Sequence, residues 1–153
     1  MGVWLVLVAA LGMAPARKPG LWQSRTKTTW QQKPTKNIPS VPTQTTKVCL
    51  TQTMMDRYGG DIPETTSSCA MTNVAMTPGG MTGELVCAAP MKGKASIVTT
   101  WSDDEHALTT IHFVGETPIG HGEPKRVEWT SKTTSVYKKA DCGLVLPGSG
   151  PGE

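Results

Sequence analysis

The chain has 153 residues, a net charge of +3 and a pI of about 8.7, and this length suits a single domain. Its basic residues are scattered, and the absence of any run of five excludes the charge pattern typical of a nucleic-acid-binding protein. Large aliphatic side chains are scarce and there is one Phe beside 22 Thr residues, so only a small hydrophobic core is predicted.

The N-terminal segment predicts export. Residues 3–13 are almost wholly apolar, and Ala14-Pro15-Ala16 has the small-x-small form that signal peptidase cuts. Eleven apolar residues suit a signal peptide, whereas a membrane span needs roughly 20. The segment before them has no Lys or Arg, and a hydrophobic first strand is the alternative. We therefore predict a signal peptide at 1–16, a mature chain without a membrane span, and a periplasmic or secreted location.

Two strands are predicted in the first third of the mature chain. The stretch "LWQSRTKTTWQ" (Leu21–Gln31) is rich in strand-forming residues, and "TQTTKVCLT" (Thr43–Thr51) is similar. Prolines at 34, 39 and 42 lie between them and prevent a helix there. After the second strand, "TMMDRY" (53–58) predicts a turn or two of helix that ends before Gly59-Gly60.

A central hairpin is predicted around Thr77-Pro78-Gly79-Gly80, between "CAMTNVAMT" and "MTGELVC". Folding the chain back at Pro78 places Cys69 opposite Cys87, with Cβ atoms about 4.5–5.5 Å apart, which is near disulfide range. Four cysteines allow three pairings. The hairpin selects Cys69–Cys87 and leaves Cys49–Cys142, although a bulge would shift this register by one residue.

These cysteines do not have the spacing of a metal or redox site. No C-x-x-C pair occurs, which disfavours both zinc and a redox-active dithiol. In the loop-entropy model a 15-residue loop contributes roughly 3 kcal/mol and a 100-residue loop roughly 4.7 kcal/mol. Two disulfides are therefore expected to decide whether a domain with so small a core folds.

Three further strands are predicted in the C-terminal half. "KASIVTTWS" (94–102) and "HALTTIHFV" (106–114) form a hairpin, and we interpret the acidic residues 103–105 as its turn because the spaced ligands and central Gly of a calcium loop are absent. Gly115–Pro124 is predicted to be a long loop. The last strand, 125–142, places Val127 and Trp129 on one face. The tail 147–153 is predicted to be disordered.

The fold class predicted from these elements is all-β. No segment shows a sustained apolar period of 3.6 residues, and turn residues separate the strands at short intervals. We expect one β-rich domain at 17–146, with about seven mainly antiparallel strands in a curved sheet or a small barrel-like sandwich.

Several motifs together resemble the DUF3617 family of small exported bacterial proteins. They are "KPGLWQSRTKTTW", "KVCL", the block from Cys69 to Cys87, "TTIHFVG" and "ADCG", and they cover nearly the whole mature chain. The resemblance implies secretion, disulfides and a β-rich fold. It implies no functional site, because the family has no established activity. The chain departs from the commoner pattern in its long Gly115–Pro124 segment and in "QQKPTKNIPSVPTQ", which replaces Met-Pro-Gly repeats.

No catalytic residues are predicted. The sequence lacks G-x-S-x-G, and no serine lies near a histidine in a recognisable motif. His106 and His112 are six residues apart, so on one strand they would share a face about 20 Å apart, too far to bind one metal ion. We interpret them and His121 as surface residues. The protein is therefore expected not to be an enzyme and to need no cofactor.

Two kinds of side chain suggest binding instead. Trp22, Trp101 and Trp129 are candidate ligand-binding residues on a concave sheet face, although they would serve equally well as core. Met76 and Met81 flank the central turn, and their thioethers suit Cu(I), although methionine also fills gaps in a core.

The function predicted from the sequence is a non-enzymatic exported binding module for a small apolar ligand or an envelope protein. The alternative is a methionine-based copper-binding periplasmic protein, and a third possibility is a hydrolase whose site the sequence does not reveal.

Overall fold

Seven antiparallel strands form one curved sheet in the computed structural model, which describes residues 17–60 and 68–147. The predicted signal peptide at 1–16 and residues 148–153 of the predicted disordered tail lie outside the described residues. The elements in chain order are β1 Gly20–Gln32, β2 Gln44–Leu50, α1 Gln52–Tyr58, β3 Cys69–Thr77, β4 Gly80–Cys87, β5 Lys92–Trp101, β6 His106–Thr117 and β7 Lys125–Lys139.

The strand order across the sheet is β2-β1-β7-β6-β5-β4-β3. Strands β3 to β7 follow one another as neighbours, so their pairing needs only short connections. Strand β1 then pairs with β7, and this long-range contact joins the two ends of the chain. The all-β class and the antiparallel pairing are confirmed, and of the two predicted architectures the curved sheet is the one observed.

Both predicted disulfides are present. Cys69 pairs opposite Cys87 and is bonded to it across the β3–β4 hairpin, with the Cα atoms 4.0 Å apart. Cys49 in β2 is bonded to Cys142 beyond the end of β7, with the Cα atoms 5.5 Å apart. No free cysteine occurs among the described residues. The hairpin turn therefore sets the register that brings the first pair together.

One short helix is present, close to where the sequence predicts it. Thr51 caps α1, and its hydroxyl accepts a hydrogen bond of 3.2 Å from the Met54 amide. Gly59 ends the helix in the left-handed conformation at φ 68°, which favours glycine. The buried face of α1 packs Met55 against Trp22, Val48 and Leu50.

The first described residues are fixed to the body of the protein. The Arg17 guanidinium lies 4.1 Å from the centre of the Trp22 ring and donates a hydrogen bond of 3.2 Å to the Gly59 carbonyl. The Lys18 ammonium contacts Asp104 at 3.0 Å and Glu105 at 2.7 Å. These contacts link the start of the domain to α1 and to the β5–β6 turn.

The two edge strands of the sheet, β2 and β3, differ in their backbone pairing. At the β2 edge, Cys49 makes an isolated bridge with Pro147. At the β3 edge, the pairing with β4 is interrupted between Thr72 and Ala75. Asn73 lies in this interruption with a φ of 52°, and its amide donates to Glu84 at 2.6 Å. The bulge twists this edge and shortens its regular part.

Two predicted boundaries are wrong. The last strand was expected to reach residue 142, but β7 ends at Lys139. The segment Gly115–Pro124 was expected to be loop throughout, but β6 continues to Thr117. Gly115 pairs with Gly93, so the extension has a packing reason. An added Cβ at Gly93 would lie 2.6 Å from Phe113 Cζ, and one at Gly115 would lie 2.7 Å from the same atom. The absence of a side chain at the two glycines therefore leaves room for the Phe113 ring, and both glycines belong to strands.

Candidate ligand-binding face

The sheet has an inner face, which we define as the side that carries Trp22 of β1 and Phe113 of β6. Residues alternate between the two sides of a strand, so every second residue of each strand belongs to it. The cross-strand register aligns these residues in rows that run across the sheet. The rows differ in chemistry from one part of the face to another.

The part of the inner face on β4, β5 and β6 is filled by its own side chains, and we call it the filled half. Ile97, Met81 and Phe113 are each 1% exposed. They belong to one buried cluster whose members are Met81, Leu85, Cys87, Ala95, Ile97, Phe113 and Val127. This half therefore has the packing of a protein core.

The part of the inner face between β1 and β7 carries paired hydroxyl groups, and we call these pairs the hydroxyl rows. The oxygen atoms are 2.8 Å apart in Ser24–Ser135, 2.8 Å in Thr26–Thr133 and 2.6 Å in Thr28–Ser131. The threonines of these pairs, Thr26, Thr28 and Thr133, are half-buried. The three pairs give the middle of the face a polar lining.

The middle row continues across the sheet. Thr133 lies opposite Thr109, which lies opposite Thr99, and the hydroxyls of Thr99 and Thr109 are 2.9 Å apart. Four threonines on four adjacent strands, from Thr26 to Thr99, therefore form one line. This line runs from the half-buried Thr26 on β1 into the filled half.

Beyond the hydroxyl rows the face ends in tryptophans. Trp30 of β1 lies opposite Trp129 of β7, and both side chains are half-buried. The Trp129 ring stacks on Phe113 with centroids 5.3 Å apart and an angle of 12° between planes. The Trp30 indole nitrogen is buried and has no hydrogen-bond partner among the described residues. We call Trp30, Trp129 and Phe113 the aromatic end.

The three tryptophans selected from the sequence do not meet at one place. Trp22 is 0% exposed and packs under α1, where its indole N–H donates to the Lys18 carbonyl at 2.9 Å. Its cross-strand partner Tyr137 is eight residues along β7 from Trp129, a distance of roughly 26 Å. Trp101 is half-buried near Gly59, where an added Cβ would lie 2.7 Å from its ring. Only Trp129 belongs to the aromatic end.

Trp30 was missed by the sequence analysis. The signal for it was its even spacing from Trp22 along β1, which places both rings on the same side of the strand. Its proximity to Trp129 depends on the pairing of β1 with β7, which sequence patterns alone do not reveal.

The two candidate copper ligands are neighbours with different surroundings. Met76 and Met81 lie opposite each other across the β3–β4 hairpin. Met81 is a member of the filled half, whereas Met76 is 46% exposed. Copper binding stays a prediction. No group of three or more His, Cys, Asp or Glu side chains suited to a metal ion occurs within the described ranges.

The side of the sheet opposite to the inner face, which we call the outer face, carries the charged contacts of Glu128. Glu128 accepts hydrogen bonds from His112 at 3.0 Å and Arg126 at 3.1 Å, and these contacts lower the pKa of its carboxyl group. In the β5–β6 turn, Asp103 accepts from the Glu105 amide at 2.8 Å and contacts the His106 ring, so its pKa is also lowered. Hydrogen bonds to Glu105 and Asp104 raise the pKa of Lys18.

The acidic residues 103–105 therefore form a hairpin turn, as predicted. His106 is exposed and His112 is half-buried, and the two are partners of different carboxylates. His121 is exposed in the connection between β6 and β7.

Comparison with known families gives one match. The family model described as "Protein of unknown function (DUF3617)" matches residues 17–142. Comparison with curated proteins and with solved structures gives no match. Among the described residues, no helix is long and apolar enough to cross a membrane.

Proposed function

The chain belongs to the DUF3617 family of proteins of unknown function, and we propose that it is a non-enzymatic exported binding module. Its ligand is a small molecule with a flat apolar face and a hydrogen-bond acceptor at one edge. The binding site is the aromatic end together with the nearest hydroxyl row.

The observation that carries this proposal is the buried Trp30 indole nitrogen. Its N–H group has no acceptor among the described residues. A buried donor without a partner costs about 1–3 kcal/mol, and native proteins hold few such groups. An acceptor atom of a ligand that displaces the side chains covering this nitrogen would offset this cost, so the indole N–H favours ligands that carry one.

The neighbours of Trp30 suit the rest of such a ligand. Trp129 is half-buried and is held flat against Phe113, so it offers a fixed apolar surface. Thr28 and Ser131 share one hydrogen bond of 2.6 Å. Because one hydroxyl of the pair donates to the other, the accepting residue still has its own O–H available for a ligand.

Two further features support the proposal. Both disulfides are of the kind found in proteins of oxidising compartments, which agrees with export. In the three hydroxyl rows each hydroxyl has another hydroxyl as its hydrogen-bond partner. A serine or threonine nucleophile needs an adjacent base, so these hydroxyls favour binding over catalysis.

The test uses the chain from Arg17 to Glu153 and the neutral fluorescent naphthalene ketone prodan, whose carbonyl oxygen is an acceptor on a flat ring. We expect saturable binding, followed by fluorescence. Trp30→Phe keeps a ring but removes the N–H, and it should weaken binding about tenfold, the effect of losing one hydrogen bond of about 1.4 kcal/mol.

The matched control is Trp101→Phe, which makes the same change at the other end of the inner face. It should bind prodan like the parent protein. Dimethylaminonaphthalene, which lacks the carbonyl group, should bind the parent and Trp30→Phe equally. Equal losses in both variants, or no saturable binding of prodan, would contradict the proposal.

A further inference from the structure

The outer face of the β1–β7 pair brings together two like charges. Lys27 and Lys132 lie directly opposite each other, and both side chains are exposed. Residues opposite each other in an antiparallel pair have Cβ atoms about 4.5–5.5 Å apart, and like charges in that position destabilise the sheet. An anion between the two ammonium groups would offset this repulsion.

The two lysines line a depression of about 470 Å³ on this face. Its other lining residues are Thr29, Gln31 and Thr130, and Thr29 lies opposite Thr130 in the row next to the lysines. Two ammonium groups, two hydroxyls and one side-chain amide all provide hydrogen-bond donors. The depression is thus lined by two positive charges and several hydrogen-bond donors.

No acidic side chain within the described ranges forms an ion pair with either lysine. Glu128 is four residues from Lys132 on the same side of β7, roughly 13 Å away. Its carboxylate is already bonded to His112 and Arg126. The charge of the two lysines is therefore not balanced by the nearest carboxylate.

We propose that this depression binds the phosphate group of a small molecule. The negative charge of a phosphate offsets the repulsion between two ammonium groups. Its oxygens accept charge-assisted hydrogen bonds from lysine and neutral hydrogen bonds from hydroxyl and amide groups. The ligand bridges Lys27 and Lys132, with Thr130 as the nearest half-buried hydroxyl donor.

The shape of the site favours a small molecule over a membrane surface, because the two lysines line a depression. The outer face also carries Glu84, Glu116 and Glu128, on three different strands. A flat anionic bilayer would meet these carboxylates together with the lysines, whereas a small phosphate enters the depression alone. The site lies on the side of the sheet opposite to Trp30, so it is independent of the proposed binding at the aromatic end.

The test is a titration of the chain from Arg17 to Glu153 with inorganic phosphate at low ionic strength, followed by backbone amide NMR. We expect saturable shifts at Thr29 and Thr130. Lys27→Gln with Lys132→Gln should weaken phosphate binding at least about tenfold, as expected for the loss of charged hydrogen bonds. The matched control is Lys36→Gln with Lys94→Gln, which removes the same charge from exposed positions elsewhere and should leave binding unchanged.

A second variant separates binding from folding. Lys27→Glu places a carboxylate opposite Lys132, so it should raise the midpoint of thermal unfolding at low salt and abolish the phosphate shifts. Shifts that do not saturate, or an equal loss in the control variant, would overturn the proposal. Binding to phosphatidylglycerol vesicles without binding of inorganic phosphate would also overturn it, because the source would then be a lipid surface.

Discussion

The filled half of the inner face and the half between β1 and β7 belong to one sheet and differ in the polarity of the side chains that line them. The filled half is packed with apolar side chains such as Ile97 and Phe113, each 1% exposed. The half between β1 and β7 carries hydroxyl pairs such as Thr26–Thr133, with both threonines half-buried. Apolar burial contributes about 25 cal/mol for each Å² removed from water, whereas a hydroxyl pair contributes about 1 kcal/mol in total.

The apolar cluster is concentrated on β4 to β6, whereas the hydroxyl pairs lie between β1 and β7. Strands β4 to β6 supply most of one buried cluster, and a second buried cluster lies under α1 around Trp22 of β1. The β1–β7 half carries the hydroxyl pairs and two half-buried tryptophans, Trp30 and Trp129, which pack against the first cluster. In the function proposed above, the part of this half around Trp30 is the part that contacts the ligand.

Removing the disulfides should produce the largest change in the free energy of unfolding. Cys49–Cys142 joins residues 93 apart and Cys69–Cys87 joins residues 18 apart. In the loop-entropy model, changing both partners to Ala should cost about 4.6 kcal/mol for the first bridge and about 3.2 kcal/mol for the second. Urea unfolding of the two double variants measures both values. If the short bridge proved the more important, packing in the filled half rather than chain entropy would dominate.

Phe113→Ala tests the filled half directly. The ring rests on Gly93 and Gly115 and stacks on Trp129, so its loss leaves a cavity and should lower the free energy of unfolding by about 3–5 kcal/mol. Val114→Ala, one residue along on the outer face, is the matched control and should cost less than about 1 kcal/mol. Similar values from chemical denaturation would mean that the filled half is not the stable part of the protein.

In a hydroxyl pair, replacing one residue should lower stability, whereas replacing both residues should change it little. Thr99 is 3% exposed and its partner is Thr109, so Thr99→Val leaves one hydroxyl unpaired and should cost about 1–3 kcal/mol. Replacing both threonines with valine keeps the shape and should restore stability to nearly that of the parent. A double-mutant cycle measures the coupling between them. Additive losses would show that the two hydroxyls act independently.

The smallest effect is expected from the outer face, at Glu128. Its pKa is lowered, first by the hydrogen bond from His112 and then by Arg126, so the folded state favours the charged carboxylate. This contribution to stability is present above the carboxyl pKa of the unfolded chain and is lost as pH falls through the lower pKa of the folded state. Unfolding midpoints measured from neutral pH down to about pH 3 should fall less steeply for Glu128→Gln than for the parent. Parallel curves would show that this group is not linked to folding.

The parts of the fold that sequence predicts are the local ones. Pro78 and the two following glycines define the hairpin, and the register of that hairpin brings Cys69 to Cys87. The second disulfide follows from the first by elimination. Even the short helix has a local cause, since Thr51 caps it and Gly59 ends it.

The parts that sequence does not predict depend on long-range pairing. The Ser24 and Ser135 hydroxyls are 111 residues apart in sequence and meet only because β1 pairs with β7. The same pairing brings Trp30 to Trp129, and it sets Lys27 opposite Lys132. Thr is abundant throughout the chain, so nothing local distinguishes the threonines that form the hydroxyl rows from the exposed ones. Gly115 was predicted in a loop because its packing against Phe113 depends on the pairing of β6 with β5.

The interrupted edge at β3 has a consequence for behaviour at high concentration. A neighbouring chain that added a strand there would find regular pairing only on either side of Asn73, whose φ of 52° breaks the ladder. Two short runs of main-chain hydrogen bonds hold another strand less firmly than one long run, and the break works against open-ended stacking. A domain crowded among its own copies thus has an obstacle to fibre growth at this edge of the sheet.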